Sequence, residues 1–300
     1  MAERLGFIGL GNIGLPMAQR LLAAGHGLSV FNRTAAKADA LVEAGALRAQ
    51  SIAALAREVD VLFFCLSDTA AVEEVALGAG GIASAAGPGL LVVDLSTIHP
   101  LRTRDLAARL REETGAGWVD APVSGGPAGA RAGTLAVMAG GTAQDVERVR
   151  PLLMAFAGRV THMGPAGSGM AMKACNQMLS FGSGAVIAET LNLAARFGID
   201  PTLVPEAVAG GFADSNVLRH YAPLMIEGRF AGNGRTGMKD LDIALDLARL
   251  TGSAVPMTSL VASMFRMVLA QGFEQGGLAT PMRLYAQGPL KASDNGDKKP

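Results

Sequence analysis

From Leu5 to about residue 140 the chain alternates short apolar runs with Ala-rich stretches that are apolar on one side only. "LGFIGL", "LSVFN", "VLFFCL", "LLVVDLS" and "WVDAPVS" are dense in Val, Leu, Ile and Phe, as in strands buried on both faces. "PMAQRLLAAG", "AAKADALVEAG" and "HPLRTRDLAARLREETG" lie between them and repeat apolar residues at helical spacing. Strands alternating with helices predict a doubly wound, mostly parallel sheet. "GTLAVMAGG" adds one more strand and "TAQDVERVRPLLMAFA" the helix after it. Past "RVTHMGPAGSGM" the period changes, and everything from about residue 167 to 290 fits helices broken by Gly and Pro. We therefore expect an α/β domain over residues 1–164, an all-helical domain over 165–292 opened by a long helix, and a flexible tail, "SDNGDKKP", over 293–300.

Composition narrows the partners. Half of the 300 residues are apolar and the formal charges cancel, with no long run of one sign. That leaves no electrostatic footprint for nucleic acid or an anionic membrane, so small molecules are the expected ligands. Met1 leads almost directly into a strand pattern, and the longest uncharged stretches carry Asn, Gln, Ser and Gly, so the expectation is a cytoplasmic protein without a membrane span. Cys65 and Cys175 have neither the number nor the spacing of a disulfide framework and read as core filler. His26, His99, His162 and His220 are scattered without metal-ligand spacing, so no metal site is expected.

"GFIGLGNIGLPMAQRLL" places Gly9, Gly11 and Gly14 in G-x-G-x-x-G spacing, with Asn12 and Ile13 between. In a chain with 39 glycines the bare spacing would carry little. Here it follows the first strand and opens a helix, where glycines allow a tight turn and a pyrophosphate can rest on the helix N-terminus. This makes the first domain a Rossmann-type dinucleotide-binding domain. About 20 residues on, where an NAD-preferring enzyme usually carries an acidic residue, the second strand ends in Asn32, Arg33 and Thr34. No carboxylate would repel a 2′-phosphate and a guanidinium could clamp it, so NADP is the expected cofactor, with NAD still allowed. Thr34 also reads as the N-cap of the next helix.

Other strand ends should line the same crevice. "CLSD" offers Leu66 and Ser67, and "DLSTIHP" offers Ser96 and Thr97; each pair reads equally well as a cofactor contact or as a helix cap. "DAPVSGGPAGARAGT" follows a further strand, with the Ser124 hydroxyl and the Gly125 and Gly126 amides able to converge on an anionic substrate. In "GSGMAMKACNQ" a lone lysine stands in an apolar stretch: Lys173, Asn176 and Gln177 share one helix face at i, i+3 and i+4. Burial penalises a lysine's charged form and makes it a usable acid or base near neutral pH. Glu189 reads as a polar contact near the far end of that helix. Lys239 and Asp240 in "MKDLDIALDLA" read as the start of another helix, with Asp240 at the positive end of its dipole.

"GFIGLGNIGLPMA", "DAPVSGGPAGARAGTLAVMAGG", "GPAGSGMAMKACNQ" and "KDL" stand in an order and spacing that resemble the β-hydroxyacid dehydrogenase family, of the 3-hydroxyisobutyrate dehydrogenase and tartronate semialdehyde reductase type. The resemblance covers almost the whole chain. It implies Lys173 as catalytic acid and base, and Asn176 as the residue that positions the substrate. It also implies Ser124, Gly125 and Gly126 around the substrate carboxylate and hydroxyl, and Lys239 and Asp240 on the nicotinamide side. It further implies an NADP-preferring oxidoreductase acting on a short 3-hydroxy acid or its semialdehyde, in a homodimer or homotetramer. Ile13 stands where the family usually has Met, and "FAGNGRTGM" replaces bulky residues before Lys239, so Gly232, Thr236 and Gly237 are expected to leave that wall open and polar. Imine reductases share "NRT" and the glycine loop but lack the lysine; a cofactor-binding module without catalysis is the other alternative.

Overall fold

The structure, a computed structural model of the chain, describes residues 3–286 and 288–291, so the expected tail lies outside the described residues. Two compact units are present, Met1–Lys173 and Ala174–Pro300.

The first unit is built on one sheet. Its strands are β1 (Leu5–Ile8), β2 (Leu28–Phe31), β3 (Leu47–Arg48), β4 (Val61–Phe64), β5 (Leu91–Asp94), β6 (Gly117–Asp120), β7 (Val123–Ser124), β8 (Leu135–Gly140) and β9 (Ala157–Gly164). They run in the order β3-β2-β1-β4-β5-β6-β8-β7, with β9 also paired to β8. The helices are α1 (Gly14–Ala23), α2 (Asp39–Glu43), α3 (Ile52–Glu58), α4 (Thr69–Leu77), α5 (Pro100–Thr114), α6 (Gly126–Ala132) and α7 (Ala143–Leu153). From β3 to β6 all pairs are parallel, in a register that aligns Ile8 with Phe31 and Phe64, Phe64 with Asp94, and Asp94 with Asp120. The carboxyl ends of five strands therefore finish along one edge, where an open α/β sheet binds its ligand.

Both faces of this sheet are covered. Phe7, Val30, Phe63 and Val93 pack against Met17, Leu21 and Val149 on one side. Ile8, Leu62, Phe64 and Val92 pack against Leu55, Val72 and Leu106 on the other. Neighbouring residues of one strand thus enter opposite cores, which is why the strands carry no polar alternation. Each such side chain contributes roughly 1.5–3 kcal/mol by leaving water.

The far side of the sheet departs from the expected pattern. "WVDAPVS" is not one strand: Ala121 and Pro122 separate β6 from β7, and both strands pair antiparallel with β8. Proline lacks the N–H that a continuing ladder needs. The edge strand β9 was not legible as a strand, because "AGRVTHMG" buries only its first and fourth residues, which gives neither a two-residue alternation nor an apolar run. β3 has only two residues, both exposed.

The second unit is helical. The helix α8 (Ser168–Phe197) supplies its first element from residue 174, followed by α9 (Leu203–Ala207), α10 (Asn216–Ile226), α11 (Gly234–Thr251), α12 (Pro256–Ala270) and a 3-10 segment, Gly277–Leu284. Phe181, Leu241, Val261 and Phe265 form one core, with the Phe181 and Phe265 rings edge to face at 5.2 Å. Gly237 belongs to this core: a Cβ there would come within 2.9–3.0 Å of both rings. The expectation that Gly237 opens a polar wall is therefore corrected, since it is glycine so that α11 can approach two phenylalanines.

By length and composition α8 could cross a membrane, at mean hydropathy 1.2, a test that the core helix of a soluble fold also passes. Cys175 is exposed on it, which corrects its reading as core filler; Cys65 is half-buried.

Candidate active site

The glycine loop sits at the end of β1. Gly9 has a φ of +92°, and a Cβ there would lie 2.3 Å from the Cys65 carbonyl oxygen. A Cβ on Gly14 would lie 2.0 Å from the Gly9 carbonyl oxygen, so both positions exclude any side chain. Gly11 differs, because a Cβ there would meet nothing within 4 Å and its bare backbone faces open space. Asn32 holds the loop in place: its Oδ1 accepts the Leu10 N–H at 2.9 Å, and its Nδ2 donates to the Thr34 carbonyl at 2.9 Å. α1 starts at Gly14 with no acidic residue in its first turn. A turn too tight for Cβ atoms, an open backbone at Gly11 and an uncompensated helix N-terminus fit a dinucleotide pyrophosphate.

Arg33 and Thr34 are exposed at the end of β2. Thr34 occupies the N-cap position of a 3-10 turn, Ala35–Ala38, but its side chain makes no capping bond, so the expected cap is not formed. The cleft beside the glycine loop is lined by Gly11, Asn12 and Pro16, and also by Lys37 and Arg131. Neither cation was singled out in the sequence. Lys37 could have been noticed, because "NRTAAK" places a second cation four residues past Arg33. Arg131 lies far from the loop in sequence and had no such signal.

The serines at the next strand ends are not the caps of the helices that follow. Asp68 caps α4, with Oδ1 accepting the Ala71 N–H at 2.9 Å, and the Ser67 hydroxyl donates to Asp68 at 2.7 Å. His99 caps α5, with Nδ1 accepting the Leu101 N–H at 3.2 Å. Burial, and then the nearby Arg102 charge, lower the His99 pKa, which keeps the imidazole neutral and able to accept. Ser96, freed from capping, ties two strand ends together by accepting the Leu66 N–H at 3.0 Å. Leu66 and Thr97 stay half-buried on the same edge.

Ser124 ends β7 and is half-buried. Gly125 and Gly126 follow with φ of +128° and +62°, which side chains rarely adopt, and α6 begins at Gly126. The hydroxyl and successive amides therefore stand at a turn into a helix, suited to a carboxylate.

Lys173 is only 7% exposed on α8, and Asn176 and Gln177 follow one turn later. In the helical unit Asn176 Nδ2 donates to Gln177 Oε1 at 2.9 Å, and Gln177 Nε2 donates to Asp240 Oδ2 at 2.5 Å. Lys239 Nζ lies 3.5 Å from the other oxygen, Oδ1. A carboxylate only accepts, so Asp240 decides which end of the Gln177 amide faces it, and Gln177 in turn decides which end of Asn176 remains. The atom left over is Asn176 Oδ1, an acceptor. The expected dipole role of Asp240 is corrected: α11 begins earlier, capped by Asn233 Oδ1 on the Arg235 N–H at 2.8 Å, and Asp240 lies beyond its first turn. Glu189 accepts from the Tyr285 hydroxyl at 3.3 Å. Among the described residues no group of three or more His, Cys, Asp or Glu could hold a metal.

Residues 4–164 match the family model described as the NAD binding domain of 6-phosphogluconate dehydrogenase. Residues 167–285 match the one described as NAD-binding of NADP-dependent 3-hydroxyisobutyrate dehydrogenase. The chain is 36% identical to the 2-hydroxy-3-oxopropionate reductase of Escherichia coli K12 over 274 residues, 91% of this chain and 93% of that one. The chain belongs to the β-hydroxyacid dehydrogenase family. It is an NAD(P)-dependent β-hydroxyacid dehydrogenase. Solved structures share its fold. A Mycobacterium tuberculosis 3-hydroxyisobutyrate dehydrogenase with L-serine superposes at a TM-score of 0.84 and 30% identity, over 95% of this chain and 100% of that one. Psf3 in complex with NADP+ and 2-OPP superposes at 0.85 and 28% identity, over 94% and 100%.

Proposed function

We propose that this β-hydroxyacid dehydrogenase prefers NADP and interconverts a short 3-hydroxy acid and its semialdehyde, with Lys173 as general acid and base. The observation that carries the reading is a lysine 7% exposed on a helix, with no other Asp, Glu, Lys or Arg between Arg159 and Glu189 and with Asn176 and Gln177 one turn on. An amine so withdrawn from water is placed to exchange a proton with a bound substrate. The bound nicotinamide supplies a hydride acceptor in oxidation and a hydride donor in reduction. Lys173 Nζ takes the proton of the substrate hydroxyl during oxidation and returns it to the carbonyl oxygen during reduction. Asn176 positions the substrate through its carboxamide, whose Nδ2 keeps a second N–H beyond the one given to Gln177. The Ser124 hydroxyl and the Gly125 and Gly126 amides hold the carboxylate, so that one carbon is presented for reaction.

The preference for NADP is supported by Arg33 in a strand end without a carboxylate, and by Lys37 beside it. Three-carbon compounds are favoured as substrates: the names of the Escherichia coli relative and of the Mycobacterium structure with L-serine both contain one. A homodimer or homotetramer is supported by Leu179, Val186 and Leu193, which recur every seven residues on α8 and are 71, 53 and 71% exposed. A single-chain mass by light scattering at micromolar concentration would refute it.

The test of the central reading is Lys173→Ala, assayed by nicotinamide absorbance with tartronate, methylmalonate and succinate semialdehydes and by NADPH binding. Turnover should be lost while NADPH affinity stays within about twofold, because a proton carrier supplies about 10²–10⁴-fold in rate and no cofactor contact. Loss of NADPH binding would make Lys173 structural.

A further inference from the structure

We infer that Asp120 is a positioning residue for this reaction: its buried carboxylate locks the first turn of α8, and so the aim of Lys173, to the strand end from which the Ser124 loop departs. The inference rests on the reading of Lys173 as the acid and base.

Asp120 is the last residue of β6 and is fully buried. Its Oδ1 accepts the Gly167 N–H at 2.7 Å and its Oδ2 the Met170 N–H at 2.9 Å. The first N–H groups of a helix have no partner within the helix. At α3, α4, α7, α10 and α11 the residue immediately before the helix serves them, namely Ser51, Asp68, Thr142, Ser215 and Asn233. α8 is preceded by Pro165, Ala166 and Gly167, none of which has a side-chain oxygen. A carboxylate 47 and 50 residues upstream does the work instead. A local cap satisfies a helix end wherever the helix lies, whereas this one ties the helix to a particular strand.

The room for it is made by glycines. A Cβ on Gly140 would lie 2.6 Å from Asp120 Oδ1, and one on Gly169 would lie 2.9 Å from Oδ2 and 2.3 Å from the Met138 carbonyl oxygen. Burial raises the Asp120 pKa, and the amide donors oppose that shift. On the helix side, Met170 lies one turn before Lys173. On the strand side, Ser124 follows four residues after Asp120, across the short Ala121–Pro122 break. One side chain thus ties the helix that carries the proton carrier to the strand end from which the carboxylate-holding loop departs. Misplacement of about 1 Å can cost on the order of 10²-fold in rate.

Asp120→Asn keeps the shape but sets an NH2 group against a backbone N–H. In the full-length enzyme, with NADPH and whichever of the three semialdehydes it turns over best, kcat should fall roughly tenfold or more. The KM for the semialdehyde and the Kd for NADPH should each stay within about twofold, because neither the phosphate cradle nor the carboxylate donors are altered. Ser51→Ala, which removes an ordinary cap, should lower Tm without moving kcat. A kcat for Asp120→Asn within twofold of the parent, beside an inactive Lys173→Ala, would overturn the inference alone. Turnover surviving in Lys173→Ala would overturn the acid–base reading and this inference with it. Should Asp120→Asn not fold, hydrogen exchange of the unaltered enzyme decides: amides 167–170 should be as protected as those of β6, and exchange at loop rates would refute the clamp.

Discussion

Gln177→Leu isolates the buried polar pair that joins α8 to α11. Gln177 and Asp240 are 8 and 6% exposed and 2.5 Å apart, so the substitution leaves a carboxylate oxygen in a dry environment without its donor. A hydrogen bond to a charged group contributes about 1.5–3 kcal/mol net. Lys239, 3.5 Å from the other oxygen and with 28% of its side chain exposed, offsets part of the loss. The expected destabilisation is therefore about 2 kcal/mol, or an apparent Tm lower by about 3 °C at this chain length. Asp240→Leu alone should also destabilise, by stranding the Gln177 amide. The double variant should recover part of the summed loss, because neither member of the Gln177–Asp240 bond is then left buried without the other. The assay is thermal unfolding of the full chain by circular dichroism at pH 7 for the four proteins, with kcat measured alongside. Gln177→Leu should also lower kcat, since Asn176 loses the acceptor that turns its Oδ1 outward. A Tm within 1 °C of the parent (about 0.6 kcal/mol), or strict additivity in the double variant, would refute the chain of amide orientations.

Arg33→Ala should weaken NADPH binding about tenfold, the value of one charge-assisted bond, and leave NADH within about twofold; equal effects in fluorescence titrations of both cofactors would sink the 2′-phosphate assignment. Asp60, held by the Arg4 side chain and then by its backbone N–H, has a pKa lowered to about 2. A lowered carboxylate pKa contributes stability above its unfolded value near 3.9, and that contribution fades as pH falls toward 2. Arg4→Ala should therefore lower stability only slightly at pH 7, the pair being largely exposed, and the difference from the parent should shrink between about pH 4 and 2. Urea titrations at pH 7 and pH 2.5 check this, and a difference that grows in acid would contradict the assignment.

Much of the architecture was legible because its causes are local. The strands β1, β2, β4, β5 and β6 are apolar runs that must be covered on both faces, and the helices between them leave a parallel sheet as the economical arrangement. Gly9 and Gly14 are required by contacts within their own turn or the adjoining strand, so their spacing survives in the sequence as a motif. Lys173 stood out because the absence of nearby charge is itself a sequence property.

What only the tertiary structure decided are the partners that arrive from afar. Asp120 reads in sequence as an ordinary strand-end residue; its partners lie 47 and 50 residues away. Asp240 reads as a charge near a helix start, yet it bonds to Gln177 across 63 residues. Gly237 reads as an opening in a wall and is instead the contact point of α11 with Phe181 and Phe265. Ser67 and Ser96 read equally as cofactor contacts or as caps, but the caps are Asp68 and His99, and Ser96 bridges two strand ends. Spacing along the chain encodes only those bonds that one turn of helix or one strand can close. Hydrogen bonds between elements depend on which residues the packed cores bring face to face, and that is known only once the chain has folded.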